Sequence, residues 1–335
     1  MAIEPEQFGA NAWLVDELRA QYLADPNSVS DAWRAFFQTD VLPVAPAAPA
    51  PFAASAPAPV APPAAAPAAA APVTAAPAAV APAEGEPIRG AAAAIAANMT
   101  RSLEVPTATS FRNIPARLLE VNRQGINSYR SRVGLGKVSF THVIAFAIVR
   151  AIADAVPNMN NGFAEGADGK PLLIRRSSIN MGLAVDVDKG DGTRTLMVPV
   201  LRDAQALSFV EFLDAYDALI RKTKANKLAV SDFAGATISL TNPGTIGTVQ
   251  SVPRLMPGQG VIVGVGSIDY PAEFQGADVS ALVEFGVSKV VTVTSTYDHR
   301  IIQGAESGMF LKRLHENLIG ENGFYDLVFR SLGVP

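Results

Sequence analysis

The sequence predicts an α/β protein, more narrowly an α+β open-faced sandwich in which helices pack on one side of a mixed sheet. Apolar runs of strand length recur after residue 170 and are separated by turn residues. Long helices with a continuous apolar face lie between and around these runs, a mixture typical of helices layered on a sheet. Hydrophobic residues make up 49% of the 335 residues, which is enough for a large core.

The first forty residues (1–40) resemble two short amphipathic helices. Their apolar residues recur at helical spacing and include both tryptophans of the chain. These residues are Trp13, Leu14, Leu18, Tyr22, Trp33, Phe36 and Phe37. Helices this short cannot bury such aromatic side chains by themselves. They either pack back on the main domain or form a docking hook for a partner, and the linker that follows favours docking.

Residues 41–86 are predicted to form a flexible, disordered linker. The stretch from Val41 to Pro82 consists largely of alanine and proline and contains no charged residue. Frequent proline breaks helices, which excludes a membrane span. An extended linker of this composition covers roughly 3 Å per residue and joins modules that move relative to one another.

Residues 87–335 form the predicted globular domain. Ser208 and Glu211 make a capping box at the start of one of its helices. Its expected elements are a buried helix in FTHVIAFAIVRAIADAVP, strands in SSINMGLAVDV and TRTLMVPVL joined by the turn DKGDG, a helix in SFVEFLDAYDALIRKTK, strands in ATISLTN, GVIVGVGSI and SKVVTVTSTYDH, and a last helix over residues 304–318.

Composition excludes several classes of function. The chain has no cysteine, so a disulfide, a thiolate metal site and a cysteine nucleophile are all impossible. A net charge of −4 argues against a nucleic-acid or anionic-membrane surface, although it leaves room for a local basic phosphate pocket. The acidic N-terminus lacks the apolar region of a secretory signal, so we expect a cytoplasmic protein.

No metal or nucleotide motif has the required spacing. GLGKVS departs from the phosphate loop, and DVDKGDG departs from the calcium loop. His142, His299 and His315 are too far apart in the sequence for a recognisable zinc site, so no metal is expected. His142 begins a buried helix and is interpreted as structural, whereas His315 is expected at a surface or an interface.

His299 and Thr241 are the candidates for chemistry. Alternation along the last strand places Val291, Val293, Ser295, Tyr297 and His299 on one face, so His299 would end the inward face of that strand. A histidine at such a position either caps the strand or reaches a pocket as a base. The hydroxyl of Thr241 stands at a strand–turn boundary, where it either satisfies the backbone of the turn or stabilises an oxyanion.

Several motifs in order now resemble one family. INMGLAVDV, LMVPVLRDAQALSF, SLTNPGTIG and DHRIIQGAESGMFLKRL are similar to the catalytic domain of the dihydrolipoamide acyltransferases of 2-oxo acid dehydrogenase complexes, a fold and catalytic-histidine motif shared with chloramphenicol acetyltransferase. FGANAWLVDELRAQYLADPNSVSDAWRAFF resembles the start of the thiamine-dependent first component of 2-oxoglutarate dehydrogenase. The combination is similar to the fused 2-oxoglutarate dehydrogenases of certain bacteria.

The resemblance implies succinyl transfer from a dihydrolipoyl group to coenzyme A, with His299 as general base and Thr241 as oxyanion donor. It implies a homotrimer whose site takes these two residues from different protomers. The implied partners are a lipoyl domain of another component and the thiamine-dependent decarboxylase part. Thiamine diphosphate and Mg²⁺ would belong to that decarboxylase part. Neither nucleic acid nor a membrane is implied as a partner.

Gln303 departs from the family pattern. Four residues after the histidine the family usually has Asp, or sometimes Asn, and a Gln there supplies no charge to the imidazole. We therefore expect Gln303 to have a supporting role, while Asp298 and Arg300 pair and structure the loop. Two alternatives remain at this point, a catalytically silent trimeric scaffold for the decarboxylase part and an acetyltransferase for a small molecule.

Overall fold

The computed structural model describes residues 8, 11–39, 88, 90–188 and 194–334. The predicted linker, residues 41–86, lies outside the described residues, as does all but the first residue of the predicted turn DKGDG. Apart from Ile88, the described residues belong to one compact unit.

The helices that the sequence predicts are present in the described part of the chain. Three of them are long, one buried along most of its length and two buried on one face. The helix bounds are α1 Ala12–Ala24, α2 Asp31–Thr39, α3 Gly90–Ser102, α4 Arg117–Arg132, α5 Phe140–Asp154, α6 Phe209–Lys224, α7 Val279–Glu284, α8 Gly304–Leu318 and α9 Phe324–Leu332.

A six-stranded mixed sheet forms the centre of the unit, in the order β1-β10-β9-β8-β4-β7. Two further two-stranded sheets pair β2 with β3 and β5 with β6. The strand bounds are β1 Thr107–Pro115, β2 Gly162–Glu165, β3 Pro171–Ile174, β4 Met181–Leu183, β5 Val185–Asp188, β6 Arg194–Met197, β7 Val200–Leu201, β8 Ile238–Thr241, β9 Val261–Asp269 and β10 Val290–Asp298. β8 runs parallel to β4 and β9, and the other neighbours in the sheet are antiparallel.

One face of β10 points into the main core, beneath α5 and α8. Val291, Val293 and Tyr297 are buried there among apolar side chains. The hydroxyl of Ser295 lies on the same face, 2.9 Å from the hydroxyl of Ser307 in α8. The predicted alternation along this strand is therefore confirmed as far as the strand extends, and the prediction of a mixed sheet covered by helices is confirmed as well.

The opposite face of β10 is polar but also buried. The Thr294 hydroxyl donates to the carbonyl oxygen of Ser251 at 2.9 Å, and Thr296 bonds Thr109 of β1 at 2.8 Å. Residues around Ser251 therefore cover the sheet on the side away from the helices. Because its polar side chains have partners, β10 is held as a rigid central strand up to its last residue.

The predicted strands in SSINMGLAVDV and TRTLMVPVL are each divided in two. β4 and β7 pair within the main sheet, while β5 and β6 pair with each other as a separate hairpin. Pro199 lies at the second break, and proline has no N–H to donate to a ladder. The carbonyl oxygen of Pro199 still accepts from the N–H of Leu183 at 2.8 Å, which keeps the two halves aligned.

The N-terminal helices pack against the core of this unit rather than standing apart from it. Asn11 is buried and makes three hydrogen bonds with the backbone of Val198 and Phe233. The ring of Trp33 lies 6.4 Å from that of Phe233. Of the two alternatives for residues 1–40, packing on the main domain describes what is seen, and docking to a partner stays a prediction.

Candidate active site

The turn after β10 carries the candidate base. The N–H of Asp298 donates to the carbonyl oxygen of Gly260 at 3.1 Å, and the N–H of His299 donates to that of Pro106 at 2.9 Å. The carbonyl oxygen of Asp298 accepts from the N–H groups of Ile301 and Ile302 at 3.2 and 3.0 Å. The backbone of this turn is thus tied to the sheet on both sides of His299.

A buried ion pair braces the same turn. The Asp298 carboxylate is fully buried and accepts from Nε and Nη2 of Arg300 at 2.9 and 2.7 Å. The N–H of Arg300 donates to that carboxylate as well, at 3.1 Å. The guanidinium also lies 3.6 Å from the ring centroid of Phe163. Two planar groups joined by a fork of hydrogen bonds restrict the turn more than a single contact would.

The imidazole of His299 is free to act. Its residue is exposed, and its ring lies 5.4 Å from the ring of Tyr297. Among the described residues the imidazole has no hydrogen-bond partner. The prediction that His299 ends the inward face of the strand is wrong in one respect, because β10 ends at Asp298 and His299 lies in the turn beyond it. The extra residue moves the imidazole from the core to the surface.

Gln303 lies at the start of α8 and is exposed. Its backbone N–H donates to Oε2 of Glu306 at 2.8 Å, while Oε1 of Glu306 accepts from Nδ2 of Asn158 at 2.6 Å. Within the described part of the chain no hydrogen bond joins Gln303 to the His299 imidazole. The helix start is therefore held by its backbone, which leaves the Gln303 side chain near His299 in sequence but not bonded to it.

Thr241 ends β8 and is half-buried. The next residue, Asn242, donates from Nδ2 to the hydroxyl of Thr141 at 2.8 Å, and a 3₁₀ turn begins at Pro243. A Cβ placed at Gly244 would lie 2.2 Å from the carbonyl carbon of Gly266, so glycine is required there. The predicted turn after Thr241 exists, and it leaves the Thr241 hydroxyl without a hydrogen-bond partner among the described residues.

Within this chain His299 and Thr241 do not lie close together. In the sheet register Thr241 pairs with Gly264, and Gly264 pairs with Thr294. His299 is five residues beyond Thr294 and two strands away from Thr241. At ~3.4 Å per residue and ~4.8 Å per strand, the two lie on the order of 20 Å apart, at opposite ends of the sheet.

The other two histidines have different surroundings. His142 is buried, with Nδ1 accepting from the N–H of Ser139 at 3.2 Å and Nε2 lying 3.3 Å from Asp217. Burial lowers the pKa of His142, against the opposing effect of the Asp217 carboxylate. His142 thus closes a capping box at the start of α5, as expected for a structural histidine. His315 is half-buried on α8, and burial followed by the charge of Arg112 lowers its pKa too.

A cavity of about 480 Å³ opens at the same end of the sheet as His299. Arg175, Arg176, Thr237 and Gly258 are among the residues that line it. Neither arginine was predicted from the sequence to be a site residue. The adjacent pair just before a strand was the available signal, but adjacent cations are common on solvated turns. Only the packing of the fold shows that they face a cavity.

Two features are absent from the described residues. No group of three or more histidine, aspartate or glutamate side chains is placed to hold a metal ion within that part of the chain. Among the same residues no helix is both long and apolar enough to cross a membrane.

Comparison with family models gives two matches. Residues 81–322 match the family described as 2-oxoacid dehydrogenases acyltransferase (catalytic domain). Residues 7–39 match the family described as 2-oxoglutarate dehydrogenase N-terminus. The first match covers well over half of the chain and contains every residue of the candidate site.

Curated relatives combine these two regions within longer chains. The multifunctional 2-oxoglutarate metabolism enzyme of Mycolicibacterium vanbaalenii is 47% identical over 99% of this chain and 29% of its own. The 2-oxoglutarate dehydrogenase E1/E2 component of Corynebacterium glutamicum is 47% identical over 98% of this chain and 28% of its own. This chain thus spans less than a third of the length of these relatives.

Solved structures agree with the sequence matches. A probable dihydrolipoamide acetyltransferase from Listeria monocytogenes has a TM-score of 0.58 and 26% identity, covering 71% of this chain and 95% of that one. A truncated catalytic core of the 2-oxoacid dehydrogenase multienzyme complex from Thermoplasma acidophilum has a TM-score of 0.58 and 25% identity, covering 72% and 100%. On the family match, the relatives and the shared core, this chain belongs to the family of 2-oxoacid dehydrogenase acyltransferases, through their catalytic domain.

Proposed function

We propose that this chain transfers a succinyl group from a dihydrolipoyl arm to the thiol of coenzyme A, as part of a cytoplasmic 2-oxoglutarate dehydrogenase. The relatives named for 2-oxoglutarate support the choice of acyl group. The observation that carries the chemistry is the exposed, unbonded imidazole of His299 on a turn held by a buried ion pair. Residues 1–40, 41–86 and 87–335 serve as docking segment, flexible linker and catalytic domain.

His299 acts as the general base. Its imidazole takes the proton of the coenzyme A thiol as the sulfur attacks the thioester carbonyl, a contribution of roughly 10² to 10⁴ in rate. A carbon–sulfur bond forms and the carbonyl oxygen becomes an oxyanion. When the intermediate collapses, the bond to the dihydrolipoyl sulfur breaks, and the imidazolium returns the proton to that sulfur. Both reacting sulfurs belong to substrates, in keeping with a chain that has no cysteine.

Thr241 of a neighbouring protomer supplies the oxyanion donor. Its hydroxyl is without a partner in the described part of the chain, and it lies on the order of 20 Å from His299 of the same protomer. In a homotrimer, the His299 end of one protomer's sheet would lie against the Thr241 end of the next protomer's sheet, and the two residues would then share one site. Removing one such donor typically costs about 3 to 4 kcal/mol of transition-state stabilisation.

Gln303 supports the base without placing a charge beside the imidazole. Crystallographic and enzymatic work on Azotobacter vinelandii dihydrolipoamide acetyltransferase concerns the role of a serine, a histidine and an asparagine in its catalytic mechanism. That asparagine lies four residues after the histidine. The same spacing separates His299 from Gln303. An amide at this position orients the imidazole or the substrate by hydrogen bonding and adds no charge to it.

Acyl transfer to coenzyme A tests the proposal, with succinyl- and acetyl-dihydrolipoamide assayed side by side. We expect succinyl transfer to be faster, to fall by about 10³ or more in His299→Ala, and to fall far less in Gln303→Ala. An equal loss in both variants would reject a merely supporting role for Gln303. No transfer by the wild-type chain at any pH would favour the scaffold, whose partners would then be a lipoyl domain and the thiamine-dependent decarboxylase part.

A further inference from the structure

The cavity at the His299 end of the sheet is positively charged. It has a volume of about 480 Å³, and its lining includes both Arg175 and Arg176 but no aspartate or glutamate. The hydroxyl-bearing Ser177, Ser178 and Thr237 also line it. A concave site with cations, hydroxyl groups and no carboxylate favours an anionic occupant.

Arg176 is held in place without a counter-ion. Its guanidinium fills the space beside Gly162, where a Cβ would lie 2.6 Å from Nη2. Nη1 is shielded from solvent and has no hydrogen-bond partner within the described residues. Burial lowers the pKa of this guanidinium, and no charged neighbour contributes to the shift. A half-buried guanidinium with no ion-pair partner among the described residues keeps donors that a ligand in the cavity can use.

The neighbouring groups suit phosphate oxygens in particular. A planar guanidinium offers paired donors that match phosphate geometry, and the serine hydroxyls can donate to the same oxygens, whereas the Thr237 hydroxyl already donates to Oδ1 of Asn160. Gly258 and Gly235 bring backbone to the cavity wall without side chains in the way. A volume of this size is in the range of about 300 to 1,000 Å³ that nucleotide-sized ligands occupy, and it exceeds what a single phosphate needs.

The N-terminal segment forms one wall of the cavity. Phe8 and Asn11 are among its lining residues. Asn11 is fixed there by its bonds to Val198 and Phe233, so this wall is part of the folded unit.

We propose that this cavity binds the phosphate-bearing part of a nucleotide ligand, with Arg176 as the main phosphate contact and the N-terminal segment as its wall. Gly258 of the cavity is two residues from Gly260, whose carbonyl oxygen bonds the residue before His299. The ligand is therefore either the nucleotide end of the acyl acceptor, a reading that rests on the proposed function, or a separate nucleotide that binds beside the site.

Calorimetric titration of the intact chain with ADP tests the site directly and does not depend on acyl transfer. We expect Arg176→Gln to weaken ADP binding by about tenfold or more, because a charge-assisted pair of hydrogen bonds is lost. Arg150→Gln removes the same charge from an ion pair with Asp154 on α5, neither of which lines the cavity, and is expected to leave ADP affinity unchanged. Arg176→Lys, which keeps the charge but not the fork, should fall between.

Thermal unfolding provides a second measurement. Without ligand, Arg176→Met should melt at the same temperature as the wild type or higher, since a half-buried guanidinium with no ion-pair partner among the described residues is removed. With ADP in excess the wild type should gain stability and the variant should not. A large loss of stability in the ligand-free variant would show that the guanidinium is paired in solution, and would overturn the proposal.

The Michaelis constant for coenzyme A separates the two sources of the phosphate. A rise in KM for coenzyme A in Arg176→Gln, matching the loss of ADP affinity, would identify the acyl acceptor. An unchanged KM beside weakened ADP binding would identify a separate nucleotide. Equal ADP affinity in the wild type and in Arg176→Gln would overturn the site. The site would also be overturned if the wild type bound no ADP and Arg176→Gln changed the oligomeric state, because the guanidinium would then belong to a subunit contact.

Discussion

Asp298 carries a buried charge, and its only charged partner in the described part of the chain is Arg300. The two side chains of this pair differ in their exposure to solvent. The carboxylate is fully buried, whereas the Arg300 side chain is 28% exposed. Arg300→Met strands the carboxylate in the interior and should lower the free energy of unfolding by about 3 kcal/mol. Asp298→Asn leaves a guanidinium that water can still reach, so its loss should be smaller. Urea unfolding of both variants measures the difference.

A surface ion pair provides the control for this residue-scale prediction. Arg194 pairs with Asp186 on the β5–β6 hairpin, and both side chains are more than half exposed. Arg194→Met should cost less than about 1 kcal/mol. Equal losses for Arg194→Met and Arg300→Met would show that the pair beneath His299 contributes no more than a surface contact does. The rate of acyl transfer should fall only in the Arg300 variant, because only that turn holds the proposed base.

His142 makes the stability of the protein depend on pH. Its Nδ1 accepts a hydrogen bond from the Ser139 N–H, and protonation would put a second hydrogen against that donor. Burial, with a smaller effect of Arg130, lowers its pKa in the folded protein. The unfolded chain therefore binds the proton first, so stability is complete above pH ~6.5 and falls as the pH drops below that value. His315, whose pKa is also lowered, adds to the same trend.

Urea unfolding between pH 8 and pH 5 checks this trend, a window that lies above the titration of ordinary carboxylates. The wild type should lose stability toward pH 5. His142→Gln keeps a group able to accept from Ser139 but cannot take up a proton, so its stability should vary less with pH. A pH dependence in His142→Gln identical to that of the wild type would contradict the assignment and leave His315 as the source.

Local sequence placed Thr241 correctly at the end of a strand but placed His299 on a strand that ends one residue earlier, and it could not place the two residues relative to one another. The turn after Thr241 followed from Asn-Pro-Gly, and the pairing partners Asp298 and Arg300 are two residues apart in the sequence. The separation of Thr241 from His299 depends on strand order and register, which are non-local. The position of Arg176 in a cavity could not be predicted for the same reason, because nothing beside it in the sequence shows that Gly162 makes room for its guanidinium.

At the scale of elements, periodicity predicted the helices better than the strands. α5 follows its predicted stretch because an apolar run too long for a strand indicates a buried helix, and α6 does so because burial at every third or fourth residue marks a helix within one segment. The capping box of Ser208 and Glu211 fixed the start of α6 for the same local reason. β4 and β5 could not be separated from sequence, since the break between them arises from pairing with different partners.

The N-terminal helices are held to the domain by a polar clamp. Asn11 both donates to and accepts from Val198, and it donates to Phe233, as a strand would. Asn11→Ala leaves buried backbone groups without partners and should cost about 2 kcal/mol in urea unfolding. The exposed Gln21→Ala, which loses only a bond to Glu17, should change stability by less than about 0.5 kcal/mol. If Asn11→Ala left the free energy of unfolding unchanged, the N-terminal segment would be undocked in solution and available to a partner.

At the scale of the whole molecule, the sheet explains why we propose a trimer. His299 and Thr241 stand at opposite ends of β10 and β8, both with unbonded side chains, so each protomer offers half a site at each end. Cyclic symmetry lets one kind of contact join the His299 end of each protomer to the Thr241 end of the next, and three such contacts close a ring. A monomer would hold every residue of the site and still be inactive.

Mixed assemblies of two inactive variants test the shared site. In a trimer that contains both His299→Ala and Thr241→Ala protomers, one interface joins an intact histidine to an intact threonine. Random mixing of equal amounts should therefore restore about one quarter of the wild-type rate of acyl transfer. Each variant refolded alone should remain inactive or nearly so, which serves as the control. If both residues acted within one protomer, no mixture could regain activity, because every chain in it lacks one of the two groups.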